Sequence, residues 1–250
     1  MSLTLVGLGL FDERDLSLRA IEEAKISDKI YTELYTSKWY GNIENLKKII
    51  GKDVTELSRK DLEDNSDEII KEAKKQRVVI FVEGDPLCQT THFSLLLEAR
   101  KLGIKTKVIH NASILSAVGE TGLHVQKFGQ YITIPFPEKT KGKQPASVFE
   151  IIRENKKRGL HTLCLLDVIA EENKYMAVNE GLQILLSGKI INNEDKLVVF
   201  AKACSDKPLI VYDTLDNLIK SNISDIPAVI IILGKLHFTE KEYLELVGNE

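Results

Sequence analysis

Apolar positions arrive in short blocks along this chain. The first block, Leu3 to Leu10, is broken by Gly7 and Gly9, and apolar residues then recur at helical spacing from Leu16 to Ile26. Asp15 stands where a helix N-cap belongs, so the pattern predicts a strand, a loop and a helix capped by Asp15. Strand-like runs follow at Lys29 to Leu34, Asp53 to Leu57, Val78 to Val82 and Lys105 to Ile109. Helical stretches such as Asn42 to Ile50 and Asp67 to Lys75 separate them. Alternation of this kind predicts an α/β fold with a mainly parallel sheet under covering helices.

The segment from His110 to Phe128 breaks the rhythm, because small residues (Ala112, Ser113, Ala117, Gly119, Gly122) are spaced among Ile114, Leu115 and Val118. A domain junction is expected here, giving an N-terminal α/β domain over 1–111 and a C-terminal α/β domain over 112–250. Beyond the junction, strands are expected at Gln130 to Ile134, His161 to Leu166, Leu197 to Ala203, Leu209 to Tyr212 and Ala228 to Leu233. Helices are expected at Ser147 to Lys157, Lys174 to Leu186, Leu215 to Lys220 and Thr239 to Val247. The stretch Phe136 to Pro145, with prolines at both ends and several lysines, reads as an exposed loop.

Composition narrows the function classes. Charged residues make up 28% and hydrophobic ones 43% of 250 residues, ordinary values for a folded domain pair. A net charge of -3 with dispersed lysines offers no basic stripe for a phosphate backbone, so no nucleic-acid partner is expected. The longest apolar runs, 227–233 and 163–170, fall far short of the ~18 residues that span a bilayer, and the opening lacks a cationic leader, so no membrane role and a cytoplasmic location are expected. Cys88, Cys164 and Cys204 are widely spaced, and the five histidines show no H-x-x-x-H pattern; neither a disulfide framework nor a metal site is expected.

Three places carry candidate chemistry. Gly7-Leu8-Gly9-Leu10 lets backbone approach a ligand at a strand end, yet it lacks the third glycine of a dinucleotide fingerprint. Glu33, inside TELYTS, does not end a strand as the ribose-binding acid of such a unit does. Glu83-Gly84-Asp85-Pro86 fixes a carboxylate beyond the strand Val78 to Val82, with Thr90-Thr91-His92 opening a helix beside it. Gly234-Lys235-Leu236-His237 follows the last strand, where His237 serves as base, ring partner or surface residue. His92, His110, His124 and His161 read as capping or packing residues.

Taken in order, VGLGLFDERDLS, TELYTS, EGDPLCQTTH, HNASILSAVGETGLHVQKFG, RGLHTLCLLD and GKLH resemble the diphthine synthase branch of the tetrapyrrole methylase family over almost the whole chain. Phe11 stands where the broader family carries a third glycine, which argues against a tetrapyrrole substrate. The resemblance implies two α/β domains with S-adenosylmethionine in the cleft between them, in a homodimer. Carried over residue by residue, it implies cofactor contacts from Leu10, Asp85, Cys88, Ser113, Ile114, Leu166, Ala203 and His237, mostly through backbone groups, with Cys88 a packing residue. The implied reaction methylates the amino group of a 3-carboxy-3-aminopropyl-histidine on elongation factor 2, and no general base is assigned. The alternatives are a tetrapyrrole C-methyltransferase of the same fold and a non-catalytic adenosylmethionine-binding protein.

Overall fold

The computed structural model describes residues 1–143, 145–169 and 172–248. Gln144 of the expected loop and Ala170 of the apolar run 163–170 therefore lie outside the described residues. The chain divides into two compact units, Met1–Leu115 and Ser116–Glu250.

In the first unit, β1 (Ser2–Gly7), β2 (Lys29–Glu33), β3 (Thr55–Leu57), β4 (Arg77–Val82) and β5 (Lys105–Ile109) form one sheet in the order β3-β2-β4-β1-β5. Every pairing is parallel. The alternation within β4 explains the layering, since successive side chains of a strand point to opposite faces. Val78, Ile80 and Val82 pack with Leu3 and Leu5 against α3 (Arg59–Glu63), α4 (Ser66–Ala73) and α5 (Phe93–Lys101). Val79 and Phe81 pack with Val6 and Ile30 against α1 (Leu18–Ile26) and α2 (Ile43–Ile50).

Local signals set the helix ends. Asn42 accepts the Glu44 N–H at 2.8 Å and starts α2, and Gly51, at φ +75°, closes it with a bond to the Lys47 carbonyl. The first helix departs from expectation. Its N-cap is Ser17, whose hydroxyl accepts the Ala20 N–H at 3.1 Å, and not Asp15. The Asp15 carboxylate instead turns back to accept the Leu10 and Phe11 N–H groups, at 3.0 and 2.8 Å.

The second unit contains α6 (Ile114–Ala117) from its Ser116 onward, then β6 (Ile132–Ile134), α7 (Ala146–Lys157), β7 (Thr162–Leu166), β8 (Val168–Ile169), β9 (Lys174–Tyr175), α8 (Val178–Ser187), β10 (Lys196–Ala201), β11 (Leu209–Thr214), α9 (Leu215–Ser221), β12 (Ala228–Ile232) and α10 (Phe238–Val247). Its main sheet runs β11-β10-β12-β7-β6, and β6 with β7 is its one parallel pairing among the described strands. The mainly parallel expectation thus holds for the first sheet and not for the second. The turn over 202–208 between β10 and β11 is too short for a crossover, which needs a dozen or more residues, so those strands must run antiparallel.

The helix expected from Lys174 is likewise shortened. Lys174 and Tyr175 pair with Ile169 and Val168 in a small hairpin, and the helix begins at Val178. Ile132, Ile134, Cys164, Leu197, Val199, Ile230 and Ile232 build the core of this unit with α7, α8 and α9.

Candidate functional site

A parallel sheet delivers all its strand ends to one edge, and ligands gather where consecutive connections leave for opposite faces. In the first unit β1 leads to α1 on one face while β4 leads to α5 on the other, so the opening lies between the ends of β1 and β4. The segments 7–11, 33–37, 83–92 and 110–114 all emerge at this edge.

The glycines there serve first to let two loops touch. Gly9 and Gly84 form an antiparallel bridge, with N–H to carbonyl distances of 3.2 and 2.8 Å. A Cβ on Gly7 would stand 2.5 Å from the Gly84 carbonyl oxygen. Gly9 has φ +88°, and a Cβ on it would meet the Asp15 Cβ at 2.3 Å, whereas a Cβ on Gly84, at φ +67°, has nothing nearer than 3.8 Å. Gly9→Ala is therefore expected to lower stability by about 1–3 kcal/mol, more than Gly84→Ala, which bears only the backbone penalty. Denaturant midpoints of the two variants check the order.

Asp85 is 5% exposed, so it is not the free turn carboxylate that the EGDP tetrapeptide suggests. Its Oδ1 accepts the Leu87 N–H at 3.0 Å, and its Oδ2 lies 2.8 Å from His110 Nδ1 and accepts the Asn111 N–H at 3.2 Å. Burial pushes its pKa up, but these bonds from Leu87, His110 and Asn111 outweigh it and hold the carboxyl below its ordinary range. Asn111 in turn donates to the carbonyls of Gly7 and Asp15, both at 3.0 Å, and so locks β5 to the turn after β1. The sequence pattern did not single out Asn111, and it placed His110 among the capping or packing residues. The signal was the pair His-Asn directly after a strand of a parallel sheet.

Cys88 and Ser113 hydrogen-bond one another, and burial pushes the Cys88 thiol up, which disfavours a thiolate nucleophile. The Ser113 hydroxyl also accepts the Leu115 N–H at 3.1 Å beside Ile114. The Leu10 N–H is taken by Asp15. Gln89 has φ +61°, and its side-chain nitrogen is buried with no partner among the described residues. Leu10, Asp85, Cys88, Ser113 and Ile114 are thus all at this edge, where the ionised Asp85 carboxylate fits a cationic sulfonium ligand.

Two further features border the edge. Contrary to the sequence expectation, Glu33 does end the second strand, β2, but its carboxylate is buried and taken by the Thr36 hydroxyl at 2.6 Å; Glu83 follows β4, is 8% exposed and accepts the Ser37 N–H at 3.0 Å. His92, 3% exposed, has both ring nitrogens unpartnered, and burial pushes it down to about 4, keeping it neutral. It lines a cavity of about 260 Å³ with Tyr35, Thr91 and Ser94.

The candidates of the second unit are distributed differently. Leu166 ends β7, while Ala203 lies beyond β10 between Lys202 and Cys204, both with left-handed φ (53° and 66°), so the strand expected to reach Ala203 stops at Ala201. β12 runs antiparallel to both strands, so His237, past its carboxyl end, is at the opposite end of that sheet from Leu166 and Ala203. There His237 donates its N–H to Glu240 at 2.6 Å and caps α10.

Glu240 is fully buried and also accepts the His124 N–H at 2.8 Å, His161 Nε2 at 3.2 Å and the Lys127 ammonium. Burial raises its pKa, but the donors from His237, Lys127, His124 and His161 prevail and bring it down to about 2. His161 Nδ1 accepts the Gly234 N–H at 3.0 Å, and a Cβ on Gly234 would stand 2.5 Å from the Gly159 carbonyl oxygen. The RGLH and GKLH segments are therefore joined to one another around Glu240, a residue that the sequence pattern did not single out.

Residues 2–219 match the tetrapyrrole (corrin/porphyrin) methylases. The chain is 44% identical over 252 residues to a diphthine synthase of Methanocaldococcus jannaschii and 41% identical over 250 residues to one of Methanococcus vannielii, covering 97% of this chain and of each relative. It superposes on a crystal structure of diphthine synthase with a TM-score of 0.91 at 36% identity, over 100% of this chain and 96% of that one. The chain belongs to the tetrapyrrole methylase family and, within it, to the diphthine synthases.

Proposed function

We propose that this protein uses S-adenosylmethionine to methylate the α-amino group of the 3-carboxy-3-aminopropyl-histidine on elongation factor 2, forming diphthine in the course of diphthamide biosynthesis. The observation that carries the reading is the ionised Asp85 carboxylate at the opening between β1 and β4, in a chain of this family. The cofactor supplies an electrophilic methyl group on a positively charged sulfur. Asp85 favours that charge, and Leu10 with the Cys88, Ser113 and Ile114 segment positions the ligand. The same reading makes the protein a cytoplasmic homodimer; among the described residues no helix is long and apolar enough to cross a membrane.

The substrate amine titrates near ~8, so part of it is neutral at pH 7 and ready to attack once placed. Holding nitrogen, methyl and sulfur in line lowers the barrier by as much as about 7–11 kcal/mol, the larger share of the catalysis. Calorimetry is expected to show binding of S-adenosylmethionine and S-adenosylhomocysteine and none of NAD. Mass spectrometry of elongation factor 2 should show methyl mass only on the modified histidine, and none on the factor lacking the aminocarboxypropyl group. Methylation of a porphyrinoid, or of the unmodified factor, would overturn the reading.

A further inference from the structure

We infer that His110, held by Asp85, is the catalytic base that takes the proton from the amine being methylated; the inference rests on the methyltransferase reading above. An ionised carboxylate only accepts hydrogen bonds, so the 2.8 Å contact makes His110 Nδ1 the N–H donor and leaves the lone pair on Nε2. Nε2 has no partner among the described residues, and the His110 side chain is 67% exposed while Asp85 beneath it is buried. Asp85 is thus a positioning residue for the ring, and the backbone on either side is fixed, by Ile109 in the core and by Asn111 bonded to Gly7, Asp15 and Asp85.

Other basic groups at the edge are unsuited. Glu33 and Glu83 are buried, with Thr36 and Ser37 already bonded to them, and the ring nitrogens of His92 are sealed from solvent. His110 follows β5, the strand beside β1, three residues before Ser113.

The chemistry requires such a group. As the amine attacks, an N–C bond forms and the S–C pair leaves with sulfur, so the nitrogen becomes an ammonium that still carries its proton. That N–H bond then breaks, its pair returns to nitrogen, and the proton passes to His110 Nε2, giving an imidazolium beside the Asp85 carboxylate. The exposed ring releases the proton to water. Without this step the product nitrogen has no lone pair for a further methyl group.

The test uses the full chain, S-adenosylmethionine and elongation factor 2 bearing the aminocarboxypropyl group. His110→Ala is expected to slow addition of the second methyl group to the same nitrogen roughly 10²-fold or more, to leave calorimetric affinity for S-adenosylmethionine unchanged, and to regain that rate when free imidazole is added. Nitrogen-15 NMR of the ligand-free wild type is expected to show the Nδ1–H tautomer at His110. An unchanged rate in His110→Ala, a rate loss that tracks lost affinity and resists imidazole, or the Nε2–H tautomer would each overturn the inference. Wild-type protein that transfers no methyl group to the factor would overturn the functional reading instead, and the inference with it.

Discussion

Glu240→Ala is expected to cost the protein about 3–5 kcal/mol, because it strips a fully buried carboxylate from a network that holds a partly buried lysine head and two histidines. The His161 Nε2 and the N–H groups of His124 and His237 would lose this acceptor, and the Lys127 ammonium would keep only the Lys235 carbonyl. Glu240→Gln keeps one carbonyl oxygen but turns an NH2 group toward donors, so it should be destabilising as well. Because the folded carboxyl titrates at about 2, below its ordinary 4.5, the stabilisation is present above pH 4.5 and is lost as pH falls toward 2. Urea midpoints at pH 7 and pH 3 measure it. A loss under about 1 kcal/mol at pH 7 would place the network with exposed ion pairs.

The Glu33 and Glu83 pair predicts the opposite trend. Burial pushes Glu33 up to about 7, and burial together with the Glu33 charge pushes Glu83 up to about 8. Between 4.5 and those values the unfolded chain releases protons that the folded chain keeps, so the unfolded state binds fewer and stability falls as pH rises. Each group contributes a slope of at most about 1.4 kcal/mol per pH unit. Glu83→Gln, which retains an oxygen for the Ser37 N–H, is expected to remove one buried charge and its repulsion, and so to gain on the order of 3 kcal/mol over wild type at pH 9 relative to pH 4. Denaturant midpoints across that range read the difference; parallel wild-type and variant curves would show that the two carboxyls ionise freely in the folded state.

Much of the first unit is legible in the sequence. Val78 to Val82 is apolar throughout because both faces of its strand are covered, and its alternation with four other strand-like runs and the helices between them leads to a parallel sheet. That sheet puts the GLGL and EGDP segments on one edge without further information. The second unit is less legible: apolar strands such as Leu197 to Ala201 and Ala228 to Ile232 look alike whether they run parallel or antiparallel, and direction decides which edge a strand's end belongs to. This is why His237, placed by its sequence at a strand's carboxyl end, is at the other end of the sheet from Leu166 and Ala203.

The sequence by itself determined the family, the strand and helix blocks and the segments that carry the chemistry, because those depend on local periodicity, turn residues and ordered motifs. Only the tertiary structure decided what each polar residue does. Asp15 looks like a helix cap and instead closes the turn at Leu10 and Phe11; Glu240 looks like an ordinary first-turn acid and instead gathers His124, Lys127, His161 and His237. His110 looks like a packing residue and stands exposed against the buried Asp85, twenty-five positions earlier in the chain. Hydrogen bonds and charges act over a few ångströms of space whatever the separation in sequence, so their partners exist only once the strands have been laid side by side.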